Sequence, residues 1–354
     1  KYIFTKISPL LILISCATVE TQNSNLVVID ESIKVDENQL FMDYLDDDWK
    51  KNLNDNPLFA SYTGDKSSND KIKSNSIEQF IKDKESDKNS LYLLEQIDLS
   101  KLSKENQLNY KLKEFGLRNS VNAAQFPTYY LRLNQRGGIQ SFYETGNRLV
   151  YTTAKDYYDW FKRLEQFVSN IDNFLAINKE GLAKGHTQPK LVTRGVIAQL
   201  DAIINSDISS NPYLKVFKEA DESIINTDDK NRLIDDAILL IENEINPAYK
   251  RLHDFLLNDY LPNSRESIGI KDIPNGKKYY EYLAKYYTTT DLTPDEIHNI
   301  GLKEIERIRS EMEQIISDVD WDGDFLSFLN YLRTSPRFYY DNAEDLFNAY
   351  LIMS

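Results

Sequence analysis

Three observations on this 354-residue chain predict an all-α fold. Apolar residues recur at three- and four-residue spacing in stretch after stretch, helix-start punctuation is sharp, and few segments alternate with period two. The sharpest start is at Thr293, where a hydroxyl N-cap precedes Pro294 at the first helical position and Glu296 can reach back to close a capping box. Ile297, Ile300, Ile305, Ile308, Met312 and Ile315 then follow at helical spacing, which predicts one buried stripe with Lys, Glu and Arg on the wet face.

The other elements follow in chain order. Leu40, Phe41, Tyr44, Leu45, Trp49 and Leu53 predict a helix from about Glu37 that Asn56 and Pro57 stop. Residues 64–90 are rich in Lys, Asp, Ser and Asn and read as a solvated loop, with Ile77, Phe80 and Ile81 marking a short helix inside it. Residues 150–153 can pair as a short strand, the one hint of minor β structure. From Tyr157, the residues Trp160, Phe161, Leu164, Phe167, Val168, Ile171, Phe174 and Leu175 draw a long amphipathic helix that ends in the Gly181 to Gly185 region. Val192, Val196, Leu200 and Ile203 form the inner face of a second helix, making a helical hairpin. Another helical stretch spans residues 234–260, where Pro247 should kink the helix or mark a restart. No repeat of fixed length emerges, which argues against a regular solenoid.

Composition bounds the function. A hydrophobic fraction of 41%, with 23 Tyr and 16 Phe, supplies a sizeable core and excludes a disordered chain. A net charge of −14 repels phosphate backbones, so nucleic acid is not an expected partner. The single cysteine, Cys16, rules out an intramolecular disulfide. It follows Lys6 and an apolar run over residues 7–14 that is too short to span a bilayer, and Leu13, Ile14 and Ser15 give it the setting of a bacterial lipoprotein cleavage box. The expectation is a signal peptide over residues 1–15, lipidation at Cys16 and a polar tether over residues 16–36 before the helical body at 37–354. Ala17 favours delivery to an outer membrane, facing the periplasm; the competing reading is a non-lipidated leader with an incidental cysteine.

Several segments, in order, carry a family resemblance: NPLFASYTG at 56–64, LNQRGG at 133–138, GHTQP at 185–189 with AQLD at 198–201, and the Tyr-rich run and TTDLTPDEIH preceding Gly301. WDGDF at 321–325 and LRTSPRFYY at 332–340 continue it. Together they resemble the bacterial domain-of-unknown-function family 885, whose complete members resemble helical zinc metallopeptidases with a HExxH-like element. The resemblance implies the N-terminal half of a gluzincin-like peptidase cradle, with zinc and peptide hydrolysis belonging to a full-length protein and this portion, cut before the metal site, inactive. His186, His253 and His298 lie far apart and none has a second histidine within two helical turns. A different class remains open: a lipoprotein that binds peptide or envelope components without catalysis.

Candidate binding residues carry competing readings. Asn134, Gln135 and Gly138 belong to a polar and glycine-rich run whose amides can approach an extended peptide, or can simply cap neighbouring helices. His186 sits in a glycine-rich break that could face a cleft or be an ordinary hydrogen-bonded loop. Tyr286 and Tyr287 can line a peptide groove, yet tyrosines at this spacing also pack helices. His253 reads as a boundary histidine, and His298 as a packing or loop-bonded residue with substrate contact as the rival. The acidic runs at 46–48 and 320–324 lack the ligand pattern of an EF-hand and read as solvated loops.

Overall fold

A 30-residue helix, Ala154–Ala183, runs through the centre of the computed structural model, which describes residues 36–353. The signal peptide, Cys16 and all but the last residue of the expected tether lie outside the described residues. Fifteen α-helices occur among them. They are α1 (Glu37–Asp55), α2 (Pro57–Tyr62), α3 (Ile77–Leu94), α4 (Lys104–Ala123), α5 (Tyr143–Arg148), α6 (Ala154–Ala183), α7 (Lys190–Ile204) and α8 (Lys215–Lys218). There follow α9 (Thr227–Leu240), α10 (Asn246–Phe255), α11 (Leu261–Asn263), α12 (Gly276–Thr288), α13 (Pro294–Asp318), α14 (Phe325–Thr334) and α15 (Ala343–Met353). The only β pairing among the described residues is an isolated bridge between Pro189 and Arg265.

The central helix is long because its apolar period is uninterrupted. Trp160, Leu164, Phe167, Ile171 and Phe174 are all buried and face the main core, which Val196 and Leu200 of α7, Leu233 of α9 and Tyr249 and Leu252 of α10 complete. A satellite core of Phe41, Leu94, Tyr110 and Leu117 joins α1, α3 and α4. The segment at 150–153 forms no strand; the amides of Thr152 and Thr153 donate instead to Asp156 and so cap α6.

Gly185 explains how α6 ends. It adopts φ +75°, and the chain closes a Schellman cap in which the His186 amide donates to Gly181 O at 2.8 Å and the Gly185 amide to Leu182 O at 3.1 Å. Pro247, expected to kink the helix or mark its restart, does not restart it. Residues 227–263 run without a break, and π turns at Ile241–Ile245 and Leu256–Tyr260 precede Pro247 and Pro262. A widened turn accommodates the missing N–H and the bulk of the ring, so the helix neither restarts nor stops.

Two expectations are corrected here. The stretch at 77–94 is an 18-residue helix, because Ser76 caps it and its apolar residues meet α1 and α4. The α13 stripe is not buried: Ile300, Ile305, Ile308, Met312 and Ile315 are all exposed, and Ile316 alone is buried in that helix. The capping box forms as expected, with the Thr293 amide donating to Glu296 Oε2 at 2.8 Å. Helical periodicity thus gave the helix and its start, whereas burial needs a neighbour that packs on the stripe, and none does so among the described residues.

This division predicts unequal responses to mutation. Ile308→Lys on α13 should change unfolding free energy by no more than about 0.5 kcal/mol. Leu252→Ala in the main core should cost about 2–5 kcal/mol. Urea unfolding followed by circular dichroism measures both, and a large loss for Ile308→Lys would show that its face is covered.

Candidate functional site

One face of α6 is apolar; the adjoining face holds a segment of chain. Arg163, Gln166, Asn170 and Asn173 recur at helical spacing and bind the backbone and side chains of residues 57–75. Arg163 is 1% exposed, and its Nε donates to Lys71 O at 2.9 Å while Nη2 donates to Ser61 Oγ at 2.7 Å. Gln166 Nε2 donates to Asp70 O at 2.6 Å. Asn170 exchanges bonds with the strapped segment, donating to Lys73 O at 3.1 Å and accepting from the Asn75 amide at 3.1 Å. This strap brings Lys73 and Asn75 beside the loop that contains Asn134 and Gly138.

A cleft of about 410 Å³ opens between them. Phe142, Phe167 and Phe174 supply apolar walls, Asn75, Asn134 and Asn170 supply amides, and Gly137 and Gly138 bring backbone close. Lys73 and Arg132 are its charged lining residues, so no carboxylate borders it despite the acidic chain. Lys73 is spoken for by Asp83 at 2.8 Å. Arg132 stacks over the Phe80 ring at 4.9 Å, and burial lowers its pKa below the usual arginine value. Asn75 Oδ1 is buried without a hydrogen-bond partner.

The loop itself is held firmly. Gln140 Nε2 donates to Asn134 O at 2.8 Å and to Gln199 Oε1 at 2.9 Å, and Gln199 Nε2 donates to Gln135 O at 2.8 Å. Asn134 Oδ1 accepts from the Arg136 amide at 2.9 Å. Behind it, Tyr249 donates to Ile139 O at 2.7 Å and lies 2.6 Å from the Tyr213 hydroxyl. Burial raises the pKa of both phenols, keeping this relay protonated. A larger cavity of about 450 Å³ lies between α1, α3 and α4, but its Lys113–Asp48 and Lys51–Asp55 pairs satisfy one another.

The candidate residues do not converge. Asn134 and Gly138 line the cleft, while Gln135 borders a neighbouring cavity of about 330 Å³. His186 is buried in the cap after α6, its ring 5.4 Å from that of Tyr130, and burial lowers its pKa. Tyr286 stacks on Phe115 of α4 with centroids 6.2 Å apart, in a ladder with Tyr282, and Tyr287 is exposed beside it. His298 is exposed on α13, and His253 bridges α7 and α10 with Nε2 3.1 Å from Asp201 Oδ1. Arg132, Asn75 and Asn170 were not singled out from sequence; the polar spacing 163, 166, 170, 173 was the available signal.

A family profile described as "Bacterial protein of unknown function (DUF885)" matches residues 57–352. The chain belongs to the DUF885 family. The crystal structure of "the putative lipoprotein from Colwellia psychrerythraea" is similar, with TM-score 0.75 and 22% identity, a likeness of fold. It covers 90% of this chain, which spans 58% of that chain. No curated protein matches this DUF885 chain.

These findings correct the peptidase expectation. The family match covers residues 57–352, most of the chain, as one stretch, and the likeness to the solved structure is one of fold, so neither supports the expected gluzincin-like cradle. Among the described residues, no group of three or more His, Cys, Asp or Glu side chains could hold a metal ion, so nothing described in this chain supports the zinc and metallopeptidase expectations drawn from the resemblance. The physical reason lies in placement: the three histidines sit on a helix cap, on α10 and on α13.

Two titrations test the site's surroundings. Burial opposes ionisation of Asp156, but Lys66 and the Thr152 and Thr153 amides outweigh it and hold the carboxyl well below its usual range. Its stabilisation is therefore present above the unfolded carboxylate pKa and lost as pH falls through the folded value, so Asp156→Asn should cost about 2 kcal/mol at neutral pH and less below about pH 4. For His186, the unfolded chain takes a proton first as pH falls below 6.5, so stability declines there. His186→Phe should flatten that decline between about pH 6.5 and 5 in urea titrations at stepped pH.

Proposed function

We propose that this DUF885 chain is a lipid-anchored, extracytoplasmic binding protein whose cleft takes a peptide or a peptide-bearing envelope component without cleaving it. The cleft beside Asn134 and Gly138 carries the reading. Amides on its lining match the alternating donors and acceptors of an extended peptide, the phenylalanines receive an apolar side chain, and Arg132 favours an acidic group or a terminal carboxylate. Asn75 Oδ1 gains the partner it lacks when a ligand N–H enters.

The anchor is supported by Cys16 and the short apolar leader before it, and by a fold shared with the Colwellia protein named as a lipoprotein. Among the described residues, no helix is long and apolar enough to cross a membrane. Lipidation at Cys16 and delivery to an outer membrane, with the body in the periplasm, complete the proposal; Ala17 after the cysteine favours that destination.

Two measurements test it. Cells expressing the protein and fed an alkyne fatty acid should label the wild type and not Cys16→Ala; label on both removes the anchor assignment. Titration of the purified protein with a dansylated Ala-Phe-Ala peptide should show saturable binding, weakened about five- to tenfold by Asn134→Ala. Equal affinity in the variant, or hydrolysis of the peptide, overturns the binding assignment.

A further inference from the structure

A second cavity lies at the opening turns of α6, apart from the cleft. It encloses about 220 Å³ between the end of α2, the segment before α6 and α6 itself. Two of its lining side chains, Arg163 and Trp160, are each 1% exposed. Trp160 Nε1 is buried with no hydrogen-bond partner. Such a donor is costly to leave unmade. Gly146 explains why the indole can sit there: a Cβ at that position would lie 2.5 Å from its ring.

The Arg163 guanidinium is the second anomaly. Its hydrogen bonds go to Ser61 Oγ and to the carbonyls of Pro57, Ser68 and Lys71, all neutral acceptors. Among the described residues, it forms no ion pair within 4.0 Å. The nearby carboxylates are engaged elsewhere: Asp156 accepts from Lys66 at 2.7 Å and from two amides, and Asp159 accepts from Lys155. A buried cation with only neutral partners is best compensated by an anion brought from outside. The rest of the wall mixes Tyr62, Leu149, Val150 and Tyr151, against which a short apolar tail can lie, with Ser61, Gly64, Asn69 and the Lys66–Asp156 pair, whose charges offset one another.

We infer that this cavity binds a short-chain aliphatic carboxylate, its headgroup between Arg163 and Trp160 Nε1 and its tail against Leu149, Val150 and the two tyrosines. A planar carboxylate matches the guanidinium fork, and the indole N–H supplies a further donor. The inference is independent of peptide binding in the cleft, since it uses none of the cleft's residues.

Butyrate is the probe. Titrated into the purified full chain at constant ionic strength, with sodium chloride as the exchanged salt, it should bind saturably and change tryptophan fluorescence. The neutral isostere butyramide should not bind. Trp160→Phe keeps the ring and removes the donor, so it should weaken butyrate at least about tenfold while circular dichroism stays native. Arg163→Gln should abolish binding if it folds, and the Trp160→Phe result decides the matter if it does not. Absence of saturable wild-type binding up to about 10 mM butyrate, equal binding of butyramide, or unchanged affinity in folded Trp160→Phe each overturns the inference.

Discussion

The structure depends on α6 having two working faces that cannot be exchanged. Its apolar face nucleates the main core through Trp160, Leu164, Phe167 and Ile171. Its polar face, centred on buried Arg163, holds residues 57–75 against the body through carbonyl and hydroxyl acceptors. Burying a guanidinium costs several kcal/mol, and the hydrogen bonds it gains offset that cost only while the strap is in register. The strap in turn brings Lys73 and Asn75 to the cleft, so fold and site share one constraint.

Rigidity follows from how the glycine-rich loop is held. Gln140 and Gln199 occupy the carbonyls of Asn134 and Gln135, and the Tyr213–Tyr249 relay fixes Ile139 from behind. Those contacts occupy the Asn134 and Gln135 carbonyls, while Gly137 and Gly138 line the cleft. A preformed cleft loses little conformational entropy when it binds, which suits recognition better than a mobile loop would.

The geometry of the described residues offers no metal site in support of the metallopeptidase reading. The family match extends over residues 57–352, and the three histidines are spread over three elements. His186 illustrates the difficulty of reading a lone histidine: its place is set by the Gly185 cap, which turns the ring inward against Tyr130. The C-terminal arm makes a related point. Its α13 is a well-capped amphipathic helix whose apolar face is uncovered among the described residues, so amphipathicity by itself does not tell where a core lies.

Sequence alone determined the all-helical class, the starts at Glu37 and Pro294, the length of α6 and its end near Gly185, because periodicity, caps and glycine conformations act within a few residues. It also offered Asn134 and Gly138, through a short polar and glycine-rich motif. Tertiary structure decided which stripes are buried, that Pro247 sits after a widened turn, and that Asn75, Arg132 and Asn170 share a cleft. The cleft requires residues about 60 to 100 positions apart in the chain to meet, and no local pattern specifies which surfaces will find each other.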